Sequence, residues 1–299
     1  MVRHIRSALY FIWIFLTFKI LKADEGKIVG GRVAQPGEFP FQLCMWGEQR
    51  CGGALVTMRQ FMTAAHCFVK KSSKNDITKH FMIAGVVDCT KKDDPFYQKR
   101  GIKDYKMHPD FAYKKDMTAY HDFAIGIVDK PFDQSERVKV GAFPNTDPAK
   151  FRQYWEDISK NGKKCLAMGF GAMTDINAKD FSNDLKIAEM NPKDPAFCKT
   201  THMYDSDKLM DGEVCCIPEN VKTESQGKGD AGTALVCEGF MFGVGTAGYF
   251  QPDYNVQYFT LAYPYLNLIE KESGYICRSS HMAVIFGFFT VVVVNGLQF

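Results

Sequence analysis

The sequence predicts an all-β domain made of two modules that follow each other along the chain. Between about residues 26 and 269, short runs rich in Val, Ile, Phe and Ala alternate with clusters of Gly, Pro, Asp and Lys. This alternation is typical of many short strands joined by turns. No helical periodicity is sustained over that range. With 46% hydrophobic and 24% charged residues the chain can bury a full core, which excludes a disordered protein.

The strands are predicted from the apolar runs themselves. A polar stretch punctuated by Pro131, Pro144 and Pro148 is interpreted as the connection between the modules. Tyr263–Lys271 is the best helix candidate, because its apolar residues follow a rough i, i+3 spacing. The predicted strands are Gly53–Val56, Phe81–Val87, Phe123–Val128, Cys165–Phe170, Ala234–Cys237, Phe240–Gly245 and Val256–Leu261.

Residues 1–23 have the pattern of a secretory signal peptide. Arg3, His4 and Arg6 precede the apolar run Ala8–Phe18, and Ala23 offers a small residue for cleavage. As a helix the run spans about 16 Å, well short of the roughly 30 Å hydrocarbon core of a membrane. The alternative is an uncleaved anchor or a buried first element.

Residues 275–299 form a hydrophobic C-terminal tail. Its apolar part, Met282–Val294, would reach only about 20 Å as a helix. Small residues at Ser273-Gly274, a spacer and this tail match a GPI-attachment signal. A tail packed on the domain and a short membrane-associated segment are the alternatives. Membrane contact is expected only through such an anchor.

Charge and cysteine content restrict the class of protein. The net charge of +3 is too small to indicate a nucleic-acid partner. Ten Cys are too few for a disulfide-dense miniprotein and many for a cytosolic enzyme, so a secreted, extracellular protein with disulfides is expected. No metal or other cofactor is expected, because the histidines show no spacing typical of metal ligands.

Short motifs in a fixed order carry the functional information. They are Lys27-Ile28-Val29-Gly30-Gly31, Cys51-Gly52-Gly53, Thr63-Ala64-Ala65-His66-Cys67, His121-Asp122-Phe123-Ala124 and Gly229-Asp230-Ala231-Gly232. In this order and spacing they resemble the trypsin/chymotrypsin-like serine proteases. The resemblance runs from Ile28 to about Ile269 and implies a chymotrypsin-like double six-stranded β-barrel with a C-terminal helix.

The resemblance also implies domain boundaries. The protease-like domain is expected at residues 28–274, with barrels at about 28–141 and 142–262 and the helix at about 263–273. Removal of the leader would leave residues 24–27 as a propeptide. The bond between Lys27 and Ile28 then matches the family's activation site, where a freed ammonium on Ile28 would pair with the carboxylate of Asp230.

The catalytic residues are only partly present. The resemblance assigns His66 as general base and Asp122 as its orienting carboxylate, and it places the oxyanion hole at the backbone of Gly229 and Ala231. The nucleophile's position is Ala231, which has no hydroxyl. Loss of a triad nucleophile lowers turnover on the order of a millionfold in the subtilisin example. The chain is therefore interpreted as an inactive homologue.

The pocket departs from the family pattern as well. Its base is Ser225 instead of an acid, the substrate-binding strand has Ala247 and Gly248 without the usual Trp, and Gln257 replaces a glycine and would partly fill the slot. Gly227 stands where the family has a Cys, and no Cys lies between residues 237 and 277 to pair with it. These changes favour natural loss of activity over the alternative, an active serine endopeptidase with Ala231 as a substitution.

The family scaffold implies three disulfides: Cys51–Cys67, Cys165–Cys237, and Cys198 with either Cys215 or Cys216. Cys44–Cys89 is a further guess between neighbouring strands, and Cys277 is unassigned.

The predicted function is binding without cleavage, as a cofactor, decoy or recognition module whose protein partners include proteases of a cascade. Lysines and arginines between Lys91 and Lys115 suggest either solvated loops or a site for an acidic polysaccharide. A purely adhesive or signalling protein is the third class considered.

Overall fold

A computed structural model describes residues 31–270, apart from 71–72, 75, 115–118, 173–180, 202–208, 222–223 and 252–253. The leader, the propeptide with Lys27 and Ile28, and the C-terminal tail with Cys277 lie outside the described residues. The strands are β1 Arg32–Val33, β2 Gln42–Trp46, β3 Cys51–Leu55, β4 Gln60–Thr63, β5 Val69–Lys70, β6 Ser73–Lys74, β7 Phe81–Ala84, β8 Gln98–Met107, β9 Ala112–Tyr113, β10 Ala119–Tyr120, β11 Ala124–Val128, β12 Cys165–Gly169, β13 Lys186–Pro192, β14 Glu213–Pro218, β15 Ala234–Cys237, β16 Phe240–Gln251 and β17 Tyr254–Leu261.

Six antiparallel strands close the first barrel in the order β11-β4-β3-β2-β7-β8. Its interior is filled by side chains without measurable exposure, among them Leu43, Met45, Phe61 and Ile125. Small residues allow this packing, because a Cβ at Gly126 would lie 2.2 Å from the Phe61 ring. The interior is therefore a packed core and leaves no room for a ligand.

The second barrel contains β13-β12-β15-β16-β17-β14 and closes through pairing of β13 with β14. Strand β1 adds to its edge, with Arg32 opposite Ile187. The sequence interpretation had placed the chain from Ile28 onward in the first module, whereas β1 is a strand of the second sheet. Pairing with β13 gives the backbone groups of this short segment hydrogen-bond partners, which its position in the sequence does not reveal.

The double six-stranded barrel confirms the predicted fold class. Every predicted strand overlaps an observed one. Strands β16 and β17 are longer than the predicted Phe240–Gly245 and Val256–Leu261. Strand β16 continues through Gly245 to Gln251, with a shift of register between Gly245 and Ala247. Glycine interrupts the apolar run there without ending the strand.

The predicted connection between the modules leads into a helix that the sequence interpretation did not include, α1, Pro148–Lys160. The side chain of Asp147 accepts hydrogen bonds from the backbone N–H of Ala149 and Lys150, at 2.9 and 3.1 Å. Pro148 suits the first turn, where its missing N–H needs no partner. The helix buries Phe151, Trp155 and Ile158 on one face. Proline here starts a helix instead of excluding one.

Two shorter helical segments follow. Helix α2 is Pro195–Thr201. The C-terminal helix is a 3₁₀ helix, Tyr263–Leu268, that buries Tyr263 and Tyr265. It is shorter than the helix expected at about 263–273, and residues 271–273 lie outside the described part of the chain. Among the described residues, no helix is long and apolar enough to cross a membrane.

Three disulfides hold the barrels, as the resemblance implied. They are Cys51–Cys67, Cys165–Cys237 and Cys198–Cys215, which resolves the choice between Cys215 and Cys216. Cys44, Cys89 and Cys216 are buried and unbonded.

Candidate active site

A cleft of about 800 Å³ is lined by residues of both barrels. The first barrel contributes the turn after β2 and the side chain of His66. The second contributes Gln226–Gly229, Ala231 and the Gly245–Gly248 segment of β16. The predicted residues His66, Gly229, Ala231, Ala247 and Gly248 therefore share one cavity, although 182 positions separate the first from the last.

Strand pairing brings His66 and Asp122 together. His66 lies in the short 3₁₀ turn Ala65–Cys67 that follows β4, and Asp122 lies two residues before β11. These strands pair with Thr63 opposite Ala124. His66 Nδ1 donates to Asp122 Oδ2 at 2.6 Å, and the backbone N–H of His66 donates to Oδ1 at 2.9 Å. Both carboxylate oxygens thus fix the orientation of the imidazole.

The pair has the electrostatics of a base and its orienting group. Burial of His66 acts to lower its pKa, but the charge of Asp122 and the hydrogen bond to it raise the pKa of His66 above its ordinary value. Asp122 is only 5% exposed, whereas the His66 side chain is 21% exposed towards the cleft. The imidazole can therefore exchange a proton with a group that enters the cleft.

The turn that carries Ala231 depends on two glycines with positive φ. Gly229 has φ +100° and Gly232 has φ +83°, conformations that favour glycine. At Gly232 a Cβ would also lie 2.1 Å from Thr63 Oγ1. The carbonyl of Ala231 accepts a hydrogen bond from Gly52 N–H at 2.7 Å, which anchors the turn to the first barrel. The side chain that reaches the cleft from this turn is a methyl group.

Asp230 lies behind that turn, 1% exposed. Its carboxylate accepts hydrogen bonds from the backbone N–H of Gly171 at 2.6 Å and of Gly227 at 2.8 Å. Burial raises the pKa of Asp230 to about 7, although these two hydrogen bonds act in the opposite direction. Gly169 and Gly171 leave room for the carboxylate, since a Cβ on either would lie within 2.6 Å of it. The site is a buried carboxylate suited to a cationic partner.

Two residues predicted for the pocket, Ser225 and Gln257, are buried and are not among the residues that line the cleft. Gln257 is fully buried, and its Nε2 donates to Ser225 Oγ at 2.9 Å and to Asn255 Oδ1 at 2.5 Å. Its Oε1 has no hydrogen-bond partner among the described residues. A Cβ added to Gly248 would lie 2.4 Å from that oxygen. Gln257 therefore occupies space next to the strand that the sequence interpretation assigned to substrate binding.

Other hydroxyls near the turn already have partners. Thr233 is fully buried and donates to the carbonyl of Asp230 at 2.6 Å, and Ser225 donates to the carbonyl of Gln226 at 3.0 Å. Thr246 lines the cleft and donates to the carbonyl of Tyr258 at 3.2 Å. None of these hydroxyls is hydrogen-bonded to His66 in the described part of the chain.

One wall of the cleft was not predicted from the sequence. The Arg50 guanidinium lies 3.7 Å from the centre of the Trp46 ring and 4.9 Å from that of Phe181, and Arg50 Nη1 donates to Ser182 O at 3.3 Å. Because these residues come from two barrels, no local pattern relates them. Such a wall offers a flat aromatic and cationic surface to a ligand.

Two histidines also come together beside Asp122, although their spacing along the chain gave no sign that they would be neighbours. The rings of His108 and His121 stack 3.9 Å apart, and Asp110 lies next to them. His121 Nδ1 is hydrogen-bonded to the hydroxyl of Tyr265 at 3.1 Å. Burial and the neighbouring His108 lower the pKa of His121. The group joins the β8–β11 segment to the C-terminal 3₁₀ helix.

The fold and the cleft define a double-barrel protein with the histidine–aspartate pair of a serine protease. The family model described as Trypsin matches residues 28–269, and the chain belongs to the trypsin family.

Several kallikreins and a chymase are similar to this chain over most of their own length. Rat submandibular glandular kallikrein-9 is 26% identical over 80% of this chain and 88% of its own. Rat kallikrein-8 is 28% identical over 79% and 80%, and baboon (Papio hamadryas) chymase 26% over 79% and 86%. Among solved structures, mouse neuropsin has a TM-score of 0.63 at 24% identity, covering 79% of this chain and 95% of that one. Human heparin binding protein has a TM-score of 0.60 at 21% identity, covering 80% and 93%. These structural matches support the fold.

Proposed function

We propose that this chain is a secreted trypsin-family homologue that binds protein segments in its cleft without cleaving them. The observation that carries the proposal is the methyl group of Ala231 in the same cleft as an otherwise intact His66–Asp122 pair. Among the described residues this positioned base has no nucleophile to activate, because the neighbouring hydroxyls donate to other acceptors.

The filled pocket supports the same proposal. An active enzyme of this family needs a slot for one substrate side chain, and the burial of Gln257 with its bond to Ser225 supports the proposal that Gln257 fills this slot. A change of the nucleophile alone would leave such a slot open. The alternative, an active endopeptidase with Ala231 as a single substitution, does not account for Gln257.

Binding needs no nucleophile, and the groups suited to it remain. The Trp46–Arg50–Phe181 wall and the exposed Lys228 at the rim offer aromatic and positive contacts to an extended protein segment. Buried Asp230 is positioned for an activation ammonium, so we further propose that cleavage after Lys27 orders the cleft. Proteases of a cascade remain the proposed partners, with membrane attachment only through a C-terminal anchor.

A test uses the chain that starts at Ile28, immobilised and presented with a random peptide library and with casein. We expect selected peptides to bind saturably and casein to stay intact. Lys228→Glu should weaken peptide binding at least fivefold, because the charge lies at the cleft rim. Lys103→Glu, an exposed charge change on β8, is the matched control and should leave binding unchanged. Equal losses in both variants, or cleaved casein, would contradict the proposal.

The acidic polysaccharide is a second candidate with weaker support. Several basic side chains of the 91–115 stretch are used in ion pairs: Arg100 with Asp133 at 2.8 Å, Lys106 with Glu270 at 2.6 Å, and Lys114 with Glu213 at 3.3 Å. Exposed Lys91, Lys92, Lys99 and Lys103 remain. Elution from immobilised heparin below physiological salt would remove this candidate.

A further inference from the structure

Two buried thiols of the first barrel lie against each other. Cys44 is on β2 and Cys89 in the segment after β7, and each is 2% exposed. Neither belongs to the three disulfides. Burial and the adjacent Cys44 side chain raise the pKa of Cys89, and burial together with the same two cysteines raises the pKa of the neighbouring Tyr97. The described fold therefore contains two buried cysteines of the first barrel that lie next to each other and are not disulfide-bonded.

The backbone fixes both members of the pair. Strand β2 pairs with β7, with Cys44 opposite Ile83. After β7 the chain turns at Gly85, where φ is +84° and a Cβ would lie 2.0 Å from the carbonyl oxygen of Phe96. Asp88 then accepts hydrogen bonds from Thr90 N–H at 2.8 Å and from its hydroxyl at 2.6 Å. Cys89 therefore lies in an ordered turn after β7, the strand that pairs with β2, and both cysteines belong to the same buried core.

We propose that Cys44 and Cys89 form a fourth disulfide when the chain folds in an oxidising compartment. The oxidant is a disulfide of the glutathione class. One thiolate attacks it and releases one reduced glutathione; the second protein thiol, on losing its proton, displaces the other glutathione from the mixed disulfide. Two protein thiols and one oxidised glutathione thus give one protein disulfide and two reduced glutathione molecules.

The burial of the pair determines when the bond forms. Burial and the contact with Cys44 raise the pKa of the Cys89 thiol well above its ordinary value. A thiol that stays protonated and inaccessible exchanges slowly. The bond therefore forms before the first barrel closes, or during opening of the segment after β7, and once formed is protected from reductants.

The bond has a consequence for the cleft wall. The segment that carries Cys89 holds the chain after Phe181 through backbone hydrogen bonds: Cys89 N–H donates to Asn183 O at 3.0 Å, and Leu185 N–H donates to Val87 O at 2.9 Å. Arg50, which covers Phe181, also donates to Ser182 O. Tying Cys89 to β2 therefore ties the aromatic wall of the second barrel to the core of the first.

Peptide mapping of the full chain made through a secretory pathway tests the proposal directly. The protein is denatured with N-ethylmaleimide at about pH 6.5, where maleimides still alkylate thiols and disulfide exchange is slow, without reductant, and is then digested and analysed by mass spectrometry. We expect a linked peptide pair joining Cys44 to Cys89, about 2 Da lighter than the sum of the two thiol peptides. Cys216, the third buried thiol, should be alkylated. Alkylated Cys44 and Cys89 peptides would overturn the proposal.

Variants give an independent measurement. Closing a loop of about 45 residues predicts that Cys89→Ser lowers Tm by on the order of 10 °C. Cys44→Ser should do the same, and the double variant no more than either, because one bond is lost in all three. Cys216→Ser is the control and should not alter the mapping of Cys44. Additive losses from the two single variants would contradict a bond between them.

Discussion

Gln257 and Ser225 are joined by a hydrogen bond of 2.9 Å, and both side chains are fully buried. Gln257 Oε1 also lies 2.4 Å from the position that a Cβ on cleft-lining Gly248 would take, and we propose that Gln257 thereby fills the slot for a substrate side chain. Two alternatives can therefore be compared: Ala231 replaces the nucleophile beside an open pocket, or Ala231 replaces it beside a pocket that Gln257 fills. We propose the second.

The first prediction concerns reconstruction of activity. Ala231→Ser should restore little hydrolysis of peptide substrates, because the pocket stays filled. Adding Gln257→Gly removes the obstruction, and kcat/KM should rise by about tenfold or more over the single variant. The assay is hydrolysis of a peptide library by the chain that starts at Ile28. Full activity from Ala231→Ser alone would show that Gln257 does not obstruct substrate binding.

The second prediction concerns the pH dependence of stability. The folded pKa of Asp230, about 7, lies above its ordinary value of 3.8. The folded state therefore binds the extra proton, and the free energy of unfolding of the intact chain falls as pH rises from about 4 through 7, by up to ~4 kcal/mol. Urea unfolding at pH 4 and 8 measures the change. Asp230→Asn should remove this component.

The chain that starts at Ile28 is the matched comparison for that measurement. Its ammonium can pair with Asp230 and lower the pKa, so the loss of stability between pH 4 and 8 should be smaller than in the intact chain. An identical pH profile in both forms would mean that the ammonium does not reach Asp230.

The third prediction concerns His66. Its pKa is held above the ordinary 6.5 by Asp122. In Asp122→Asn the charge is gone and burial remains, so the pKa of His66 should fall below 6.5 in an NMR titration. His121 is the internal reference, because its pKa is lowered by burial and by His108 and should stay low. An unchanged pKa of His66 would contradict the assignment.

The fourth prediction concerns the start of α1. Asp147→Ala removes the acceptor for two backbone N–H groups and should lower the free energy of unfolding by about 1 kcal/mol. Asp157→Ala, an exposed change on the same helix, should stay within roughly 0.5 kcal/mol. Urea unfolding compares the two, and peptide binding should be the same in both.

The sequence was sufficient for the parts of the fold that depend on local pattern. Apolar runs between turn residues located the strands, and the motifs around His66, Asp122 and Ala231 named residues that share the cleft or contact each other. Helix α1 was missed because the polar stretch around Pro148 was interpreted only as a connection, whereas Asp147 caps a helix that has Pro148 as its first residue.

What the sequence could not supply depends on contacts between distant segments. The Arg50 guanidinium lies over the Phe181 ring across the barrels. The rings of His108 and His121 stack because strands β8 and β11 pair. Gln257 and Ser225 were both named from the sequence, but their hydrogen bond to each other was not. In each case the partner is set by tertiary packing, for which no spacing along the chain gives a signal.

The central claim, a protease scaffold that binds without catalysis, is tested most directly by fluorophosphonate labelling of the chain that starts at Ile28. Intact mass after incubation with the reagent reports covalent attachment, with Ala231→Ser/Gln257→Gly as the positive control. The account predicts no mass increase in the natural chain and labelling at residue 231 in the double variant. A labelled natural chain, with the adduct mapped to any of its own hydroxyls in the cleft, would contradict it.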